Sequence, residues 1–405
     1  MKILLVNKFH WPKGGSEKYY FELGQLLKEH GHKIAYFSMK NKQNVSTGEK
    51  EYFVEEIDLN TGSKLKALDV IYSKKNYNKM IEAIEDFKPD IIHVNNFQRQ
   101  LSSSIIKAAN DKKIPIIFTA HDVQAICPAI TMMDNDQNIC ELCMKGKYLN
   151  CIKKSCNKGS KAKSIIGALE GYYYRKKGIY SNKINYIITP SEFYRTKFIE
   201  DGTNPNKIEA IHNFIIAKDY EVKTEIGDYA LYFGRLSKEK GINNLIKAFK
   251  KCNMGKLYIA GDGSEKENIE KFIKINKLTK KVNLLGYLSK EEIIEYVRKA
   301  RFIVVPSIWY ENCPYSVMET LAIGKPVIGA NIAGIPELVI NNENGYTYTY
   351  DSIEDLSEKM YELFTNDKKV IKFSKKAKEL AKQYDKEMYY KKIYAIYKNI
   401  LKDVK

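Results

Sequence analysis

The strongest constraint on this chain is an alternation that runs for about two hundred residues and then begins again. Short, nearly all-apolar segments (KILLVN at 2–7, KIAYFS at 33–38, DIIHV at 90–94, PIIFT at 115–119 and NYIIT at 185–189) are separated by stretches of helical period. Segments of four to six apolar residues are what strands buried on both faces require. Intervening helices join such strands as βαβ units in a mainly parallel sheet. After Asn213 the pattern restarts with YALYFGR (229–235), KLYIAG (256–261), VNLLG (282–286), FIVVPS (302–307) and PVIGAN (326–331). The expectation is α/β: two Rossmann-like, doubly wound parallel-sheet domains facing a central cleft. Residues 1–214 would form the first domain, with an insertion at about 122–183. Residues 215–384 would form the second. A helix over 385–405, with Tyr389, Ile393, Ile396, Tyr397 and Ile400 on one face, would return to the first. Ligands of such sheets sit beyond the carboxyl ends of the strands.

A length of 405 residues suits two domains, and an apolar fraction of 44% is ample for two cores. The formal net charge of +18 favours anionic partners. The first residues, MKILLVNKFHWPKGG, hold too short an apolar run for a signal peptide. No run approaches the length of a membrane span. The chain therefore reads as cytoplasmic and at most peripheral on the inner face of the cell membrane. Seven cysteines in such a chain argue against a disulfide framework.

The chemistry gathers at expected strand ends. In YENCPYSVMETLAIGKPV, Glu311 follows a strand, Pro314 suits the first position of a helix, and Glu319 falls within that helix. Gly324 would terminate it. A carboxylate at a loop mouth beside a helix N-terminus suits a ligand that is part sugar and part phosphate. The alternative is two solvated glutamates. In FGRLSKEKGI, Arg235 and Lys240 could neutralise a diphosphate without metal, or form a basic surface turn. AGDG places Gly261 and Gly263 after a strand, where a backbone could approach a ligand, but a lone G-x-G is weak. Gly14 and Gly15 follow the first strand, with Ser16 as a helix cap. His121 lies just past a strand of the first domain.

These motifs, in this order, resemble the retaining, nucleotide-sugar-dependent glycosyltransferases of family 4, which have the GT-B fold. GRLSKEKG, AGDG and ENCPYSVMETLAIGKPV carry the likeness with the Gly-Gly loop, TAHD and ITPSEFYRTKF at 188–198. The resemblance implies that Arg235 and Lys240 hold the donor diphosphate, with Gly14 and Gly15 beside it and Gly261 and Gly263 lining the donor site. Glu319 would bind ribose hydroxyls. Glu311 and the amides after it (Asn312, Cys313, Tyr315, Ser316) would bind the transferred sugar, which His121 would contact from the other domain. The base would rest near Gly286 and Tyr287. His121, Glu311, Arg235 and Lys240 are thus the expected catalytic set, and the donor a UDP-, GDP- or ADP-sugar. The family loop usually reads Glu-Gly-aromatic-Gly; Pro314 here has no N–H to donate. No catalytic metal is expected, because protein cations already oppose the diphosphate.

Five cysteines (Cys127, Cys140, Cys143, Cys151 and Cys156) cluster within thirty residues, and C-E-L-C has the spacing of a zinc half-site. A structural zinc on four of them is one reading; reduced thiols in a long loop is the other. From Lys145 to Lys183 there are eleven basic residues and one acidic. Ile165, Leu169, Tyr172 and Ile179 lie at helical spacing among them, a pattern suited to an anionic membrane surface. A solvated lysine-rich face is the alternative. The expected partners are a nucleotide sugar and a glycan or lipid-linked acceptor. Competing readings are a nucleotide-sugar epimerase, a phosphorylase on a related two-domain fold, or a basic nucleic-acid-binding protein. No helix-turn-helix or basic-aromatic RNA motif supports the last, so no nucleic acid is expected. A nicotinamide oxidoreductase would need G-x-G-x-x-G after the first strand.

Overall fold

A computed structural model describes residues 1–57 and 69–403. The chain divides into two compact units, Met1–His212 with Tyr389–Lys405, and Asn213–Met388.

The first unit is built on a sheet of β1 (Lys2–Val6), β2 (Lys33–Met39), β3 (Lys50–Val54), β4 (Ile91–Val94), β5 (Ile116–Thr119), β6 (Tyr186–Thr189) and β7 (Ile208–Ala210). Their order is β3-β2-β1-β4-β5-β6-β7, and every pairing is parallel. The second unit carries β8 (Tyr229–Phe233), β9 (Lys256–Ala260), β10 (Val282–Gly286), β11 (Phe302–Val305), β12 (Val327–Ala330) and β13 (Gly345–Tyr348), ordered β10-β9-β8-β11-β12-β13 and also all parallel. Strand order therefore reverses between β1 and β4 in one sheet and between β8 and β11 in the other. Such switch points open a crevice at the carboxyl ends of the strands. The apolar runs account for the central strands: Ile3 to Val6, Ile91, Ile92, Phe302 to Val304, Val327 and Ile328 are all buried.

Three strands did not announce themselves in the sequence: β3, β7 and β13. Each is the edge of its sheet. An edge strand keeps one side outside the ladder and so needs no continuous apolar run. KEYFV alternates accordingly, and β7 has only three residues.

The helix Lys386–Asp403 buries Tyr389, Ile393, Ile396, Tyr397 and Ile400. In the first unit its two buried tyrosines enter a polar chain. Tyr397 Oη lies 2.6 Å from His93 Nδ1, and His93 Nε2 lies 2.7 Å from Thr119 Oγ1. Thr119 reaches Tyr19 Oη at 3.3 Å, which also meets the Tyr389 hydroxyl. Burial holds the His93 imidazole down to about 3, so it stays neutral and can both donate and accept. The result is a C-terminal helix fixed to the sheet by hydrogen bonds as well as by apolar packing.

Candidate active site

In the second unit, the β8/β11 switch point brings together residues far apart in sequence. Lys240 lies in the connection after β8 and Glu311 in the loop after β11. Lys240 Nζ donates to Glu311 Oε1 at 2.5 Å, and the Ser307 hydroxyl donates to the same oxygen at 2.7 Å. Glu311 is buried, and its backbone carbonyl accepts from Gly334 N at 2.9 Å. Burial acts to raise this carboxyl group's proton affinity. The adjacent ammonium and the Ser307 hydroxyl outweigh it, so Glu311 stays ionised and below its ordinary range. Lys240 also lies 5.3 Å from the centre of the Trp309 ring. An ammonium has three donors, and one engages Glu311.

Arg235 is held differently. Its side chain is 65% exposed and its guanidinium meets Glu239 at 3.2 Å, while its carbonyl accepts from Tyr232 Oη at 2.8 Å. That exposure leaves it less organised than Lys240. The loop carrying it is zipped onto the AGDG loop by backbone bonds from Gly234 N to Ala260 O (3.0 Å) and from Leu236 N to Asp262 O (2.9 Å). The glycines serve this approach. A Cβ on Gly261 would lie 1.8 Å from the Gly234 carbonyl oxygen, and one on Gly263 would lie 2.3 Å from that of Leu236. What demands glycine at these positions is thus the neighbouring loop of the protein itself. Tyr287, by contrast, is largely exposed and follows the left-handed Gly286.

The helix Tyr315–Ile323 begins one residue later than the sequence suggests. Pro314 is its N-cap, and the Pro314 carbonyl accepts from Val317 at 3.0 Å and Met318 at 3.4 Å. A ring with φ near −69° and extended ψ fits that flank without needing an N–H. The positive end of the helix therefore falls at Tyr315 and Ser316, next to Asn312. Gly324, at φ 88°, closes the helix. Cys313 is buried against Met318, and burial pushes its thiol up to about 12, so only its backbone could serve a ligand. Glu319 accepts from Tyr220 Oη at 3.1 Å within the same unit.

In the first unit, Gly14 is the N-cap of the helix Gly15–Glu29. Ser16 makes no cap; its hydroxyl donates instead to Glu17 at 2.9 Å. His121 Nε2 lies 2.9 Å from Asn95 Oδ1, while Asn95 Nδ2 donates to the Val6 carbonyl at 3.2 Å. With the amide oriented that way, Oδ1 must accept, so Nε2 carries the proton. Burial brings the His121 imidazole down to about 3, which makes it neutral. Asn95, Ser307, Trp309 and Tyr220 are supporting residues that the sequence did not single out. The only signal for Asn95 was its place directly after DIIHV.

The cysteine-rich segment carries two expectations, a metal site or reduced thiols. Among the described residues, no group of three or more His, Cys, Asp or Glu side chains is gathered to hold a metal ion. The five thiols are free, and burial raises those of Cys127, Cys143, Cys151 and Cys156. The segment folds on apolar material of its own: Ile126, Met132, Met133, Tyr148, Ala168 and Tyr174 are buried. Ile179, expected on the apolar stripe of the basic helix, is buried, whereas Ile165, Leu169 and Tyr172 are exposed.

The family description "Glycosyltransferase Family 4" matches residues 13–218, just over half of the chain, and "Glycosyl transferases group 1" matches residues 217–380. The chain belongs to glycosyltransferase family 4. A relative in Methanocaldococcus jannaschii, an uncharacterized glycosyltransferase, is 30% identical over 56% of this chain and 63% of its own length. The poly(ribitol-phosphate) alpha-N-acetylglucosaminyltransferase of Staphylococcus aureus is 29% identical over 49% of this chain and 41% of its own. The chain thus spans less than two thirds of either relative. The crystal structure of HepE from Anabaena in complex with UDP superposes with a TM-score of 0.72 at 17% identity, covering 98% of this chain and 100% of that one. That likeness is one of fold, and the fold of this family 4 chain is GT-B.

Proposed function

We propose that this family 4 chain is a retaining glycosyltransferase, moving a sugar from a nucleoside diphosphate sugar to a hydroxyl of a glycan or lipid-linked glycan in surface polysaccharide or glycolipid synthesis. The observation that carries the reading is the pairing of half-buried Lys240 with buried Glu311 at the β8/β11 switch point, with Arg235 on the adjoining loop. Cleavage of the donor breaks the bond from the anomeric carbon to the phosphate oxygen, so negative charge grows on the leaving diphosphate. Lys240, Arg235 and the N-terminus of the helix Tyr315–Ile323 oppose that charge. Glu311, kept ionised, accepts from hydroxyls of the transferred sugar, and Glu319 from those of the ribose. His121, neutral, contacts the sugar with a fixed tautomer. The acceptor oxygen forms the new bond on the face the diphosphate leaves, and the acceptor's proton passes to a phosphate oxygen. The UDP named in the Anabaena complex supports uridine as the first base to try.

The test is a panel of UDP-, GDP- and ADP-sugars incubated with the enzyme and followed by NMR. One donor should be slowly hydrolysed to the sugar with its original anomeric configuration. Inversion would remove retention from the account, and interconversion of intact nucleotide sugars would replace transfer by epimerisation.

A membrane face accompanies this reading. Leu142, Leu149, Ile165, Leu169 and Tyr172 are exposed, and they lie among or beside the basic residues of the segment from Lys145 to Lys183. Tyr172 Oη accepts from Leu149 N at 3.2 Å, which joins the two stretches. No described helix is long and apolar enough to cross a membrane, so contact would be interfacial. In flotation assays the protein should rise with vesicles rich in acidic lipid at low salt. Replacing Leu142, Leu149, Ile165 and Leu169 together by Ser should abolish this. No flotation would remove the membrane role, and flotation that ignores lipid charge, salt and these substitutions would remove this face from it.

A further inference from the structure

The first unit carries a groove of about 650 Å³ that the proposed transfer does not use. One wall stands at the amino ends of β6 and β7, with Asn185, Tyr186 and Lys207, and the other is the helix Lys386–Asp403. Ligand crevices of doubly wound sheets open at the carboxyl ends of the strands. This groove is therefore separate from the switch points of both sheets. Its volume falls in the range of small-molecule sites.

Three kinds of group line it. Ile396 and Ile400, each 7% exposed, supply an apolar patch with Ala395. The side-chain amides of Asn182 and Asn399 have no hydrogen-bond partner among the described residues. Asn185 Oδ1 accepts from Ile116 N at 2.8 Å, which fixes that amide and leaves its N–H donors available. The third kind is charge. Lys207, Lys391 and Lys392 line the groove and make no ion pair among the described residues. Its one carboxylate, Glu209, accepts from Tyr186 Oη at 3.2 Å. Three ammonium groups against one carboxylate leave a local excess of positive charge, which favours an anion. Amides that donate and accept suit hydroxyls, and unpaired ammonium groups suit phosphate or carboxylate. The apolar patch between them suits the C–H face of a sugar ring.

We infer that this groove binds an anionic glycan, a chain of hydroxyl-bearing units carrying phosphate or carboxylate groups. Its charges would lie on Lys207, Lys391 and Lys392, and its hydroxyls on Asn182, Asn185 and Asn399. That the glycan is the polymer being extended rests on the proposed function, since a second hold on the polymer raises the effective concentration of its end. The binding site itself does not rest on that reading.

Calorimetric titration of the full chain with a galacturonate hexamer, a glycerol phosphate oligomer and neutral maltohexaose tests this. One anionic oligomer should bind about tenfold or more tighter than maltohexaose, because charge-assisted hydrogen bonds are at stake. Lys391→Gln with Lys392→Gln should weaken it about tenfold. Ala395→Trp, on an exposed position of the helix, fills the groove without changing its charge and should have a similar effect. Lys271→Gln with Lys274→Gln removes equal charge from an exposed helix face of the second unit and should change affinity less than about twofold. Melting temperature and UDP affinity should be unchanged in all three. No binding of either anionic oligomer to the wild type overturns the site. Equal losses in the groove and control variants, or full binding by Ala395→Trp, overturn it too, by reducing the interaction to general surface charge. Single-stranded DNA that binds more tightly than either oligomer and is lost in the groove variants replaces the glycan by nucleic acid. A wild type that binds an anionic oligomer but no nucleoside diphosphate keeps the groove and removes the transferase reading. Preference for galacturonate assigns a carboxylated glycan and preference for glycerol phosphate a phosphorylated one, and either result sustains the anionic class.

Discussion

Lys240→Met should destabilise the second unit by about 3–5 kcal/mol, the usual consequence of removing one partner from a buried ion pair. The reason is Glu311. Its side chain is 8% exposed and Lys240's 20%, so solvent cannot take over the lysine's role. The Ser307 hydroxyl and the Trp309 side chain would remain on the carboxylate, but no cation would. The pH dependence follows from the direction of the Glu311 shift. In the wild type its proton affinity is depressed, so its stabilising contribution is present above the ordinary carboxylate range and is lost as pH falls through the folded-state value. In the variant, burial without a partner raises the proton affinity, and protonation then relieves the buried charge. The gap between wild type and variant should therefore narrow as pH is lowered through the carboxylate range, a trend readable from urea unfolding at a series of pH values. A gap that widens on acidification would show that Glu311 does not depend on Lys240. The neutral double variant, Lys240→Met with Glu311→Gln, should recover much of the stability and none of the activity. Loss of one preorganised donor to a developing charge costs about 2.7–4 kcal/mol of transition-state stabilisation. Arg235→Ala should cost less, because that side chain is mostly exposed and held only by Glu239.

Gly261→Ala should destabilise the same unit by roughly 2–6 kcal/mol, the sum of overpacking and backbone strain at about 1–3 kcal/mol each. The added Cβ would stand 1.8 Å from the Gly234 carbonyl oxygen, and Gly261 has φ of +140°, where an L-residue is strained. Backbone cannot step aside as a side chain can, and Gly261 N is also committed to the Gly286 carbonyl at 2.7 Å. The Arg235 loop would be displaced with its neighbour. Gly286→Ala is the control. It too has positive φ, 72°, but nothing lies within 4 Å of its Cβ, so strain alone should cost about 1–2 kcal/mol. Equal melting temperatures for the two variants would mean that the approach of the two loops carries little of the stability.

Much of this architecture is legible in the amino-acid sequence. The central strands of both sheets are short apolar runs because they are buried on both faces, and each run stands out in the chain. The edge strands β3, β7 and β13 escape notice because an edge imposes no such composition. Lys240 and Glu311 are each suggested by position after a strand, but seventy-one residues separate them, and only the β8/β11 switch point makes them a pair. The glycines of AGDG are visible as glycines; that the demand comes from the Gly234 and Leu236 carbonyls is not. The C-x-x-C spacing of the cysteine segment is local and visible in the chain, whereas the burial of Tyr148, Met132 and Tyr174 in that segment is tertiary and is not.

The most direct test of the central claim, that the second unit holds a nucleoside diphosphate through Lys240 and its neighbours, is a calorimetric titration of UDP, GDP and ADP in the presence of EDTA. The proteins are the wild type and the neutral Lys240→Met, Glu311→Gln double variant. The account predicts that one of the three binds the wild type with chelator present. It predicts affinity about tenfold or more weaker in the folded double variant, as loss of a charge-assisted contact implies. Equal affinity in the two proteins, or no binding of any nucleoside diphosphate to the wild type, would contradict it.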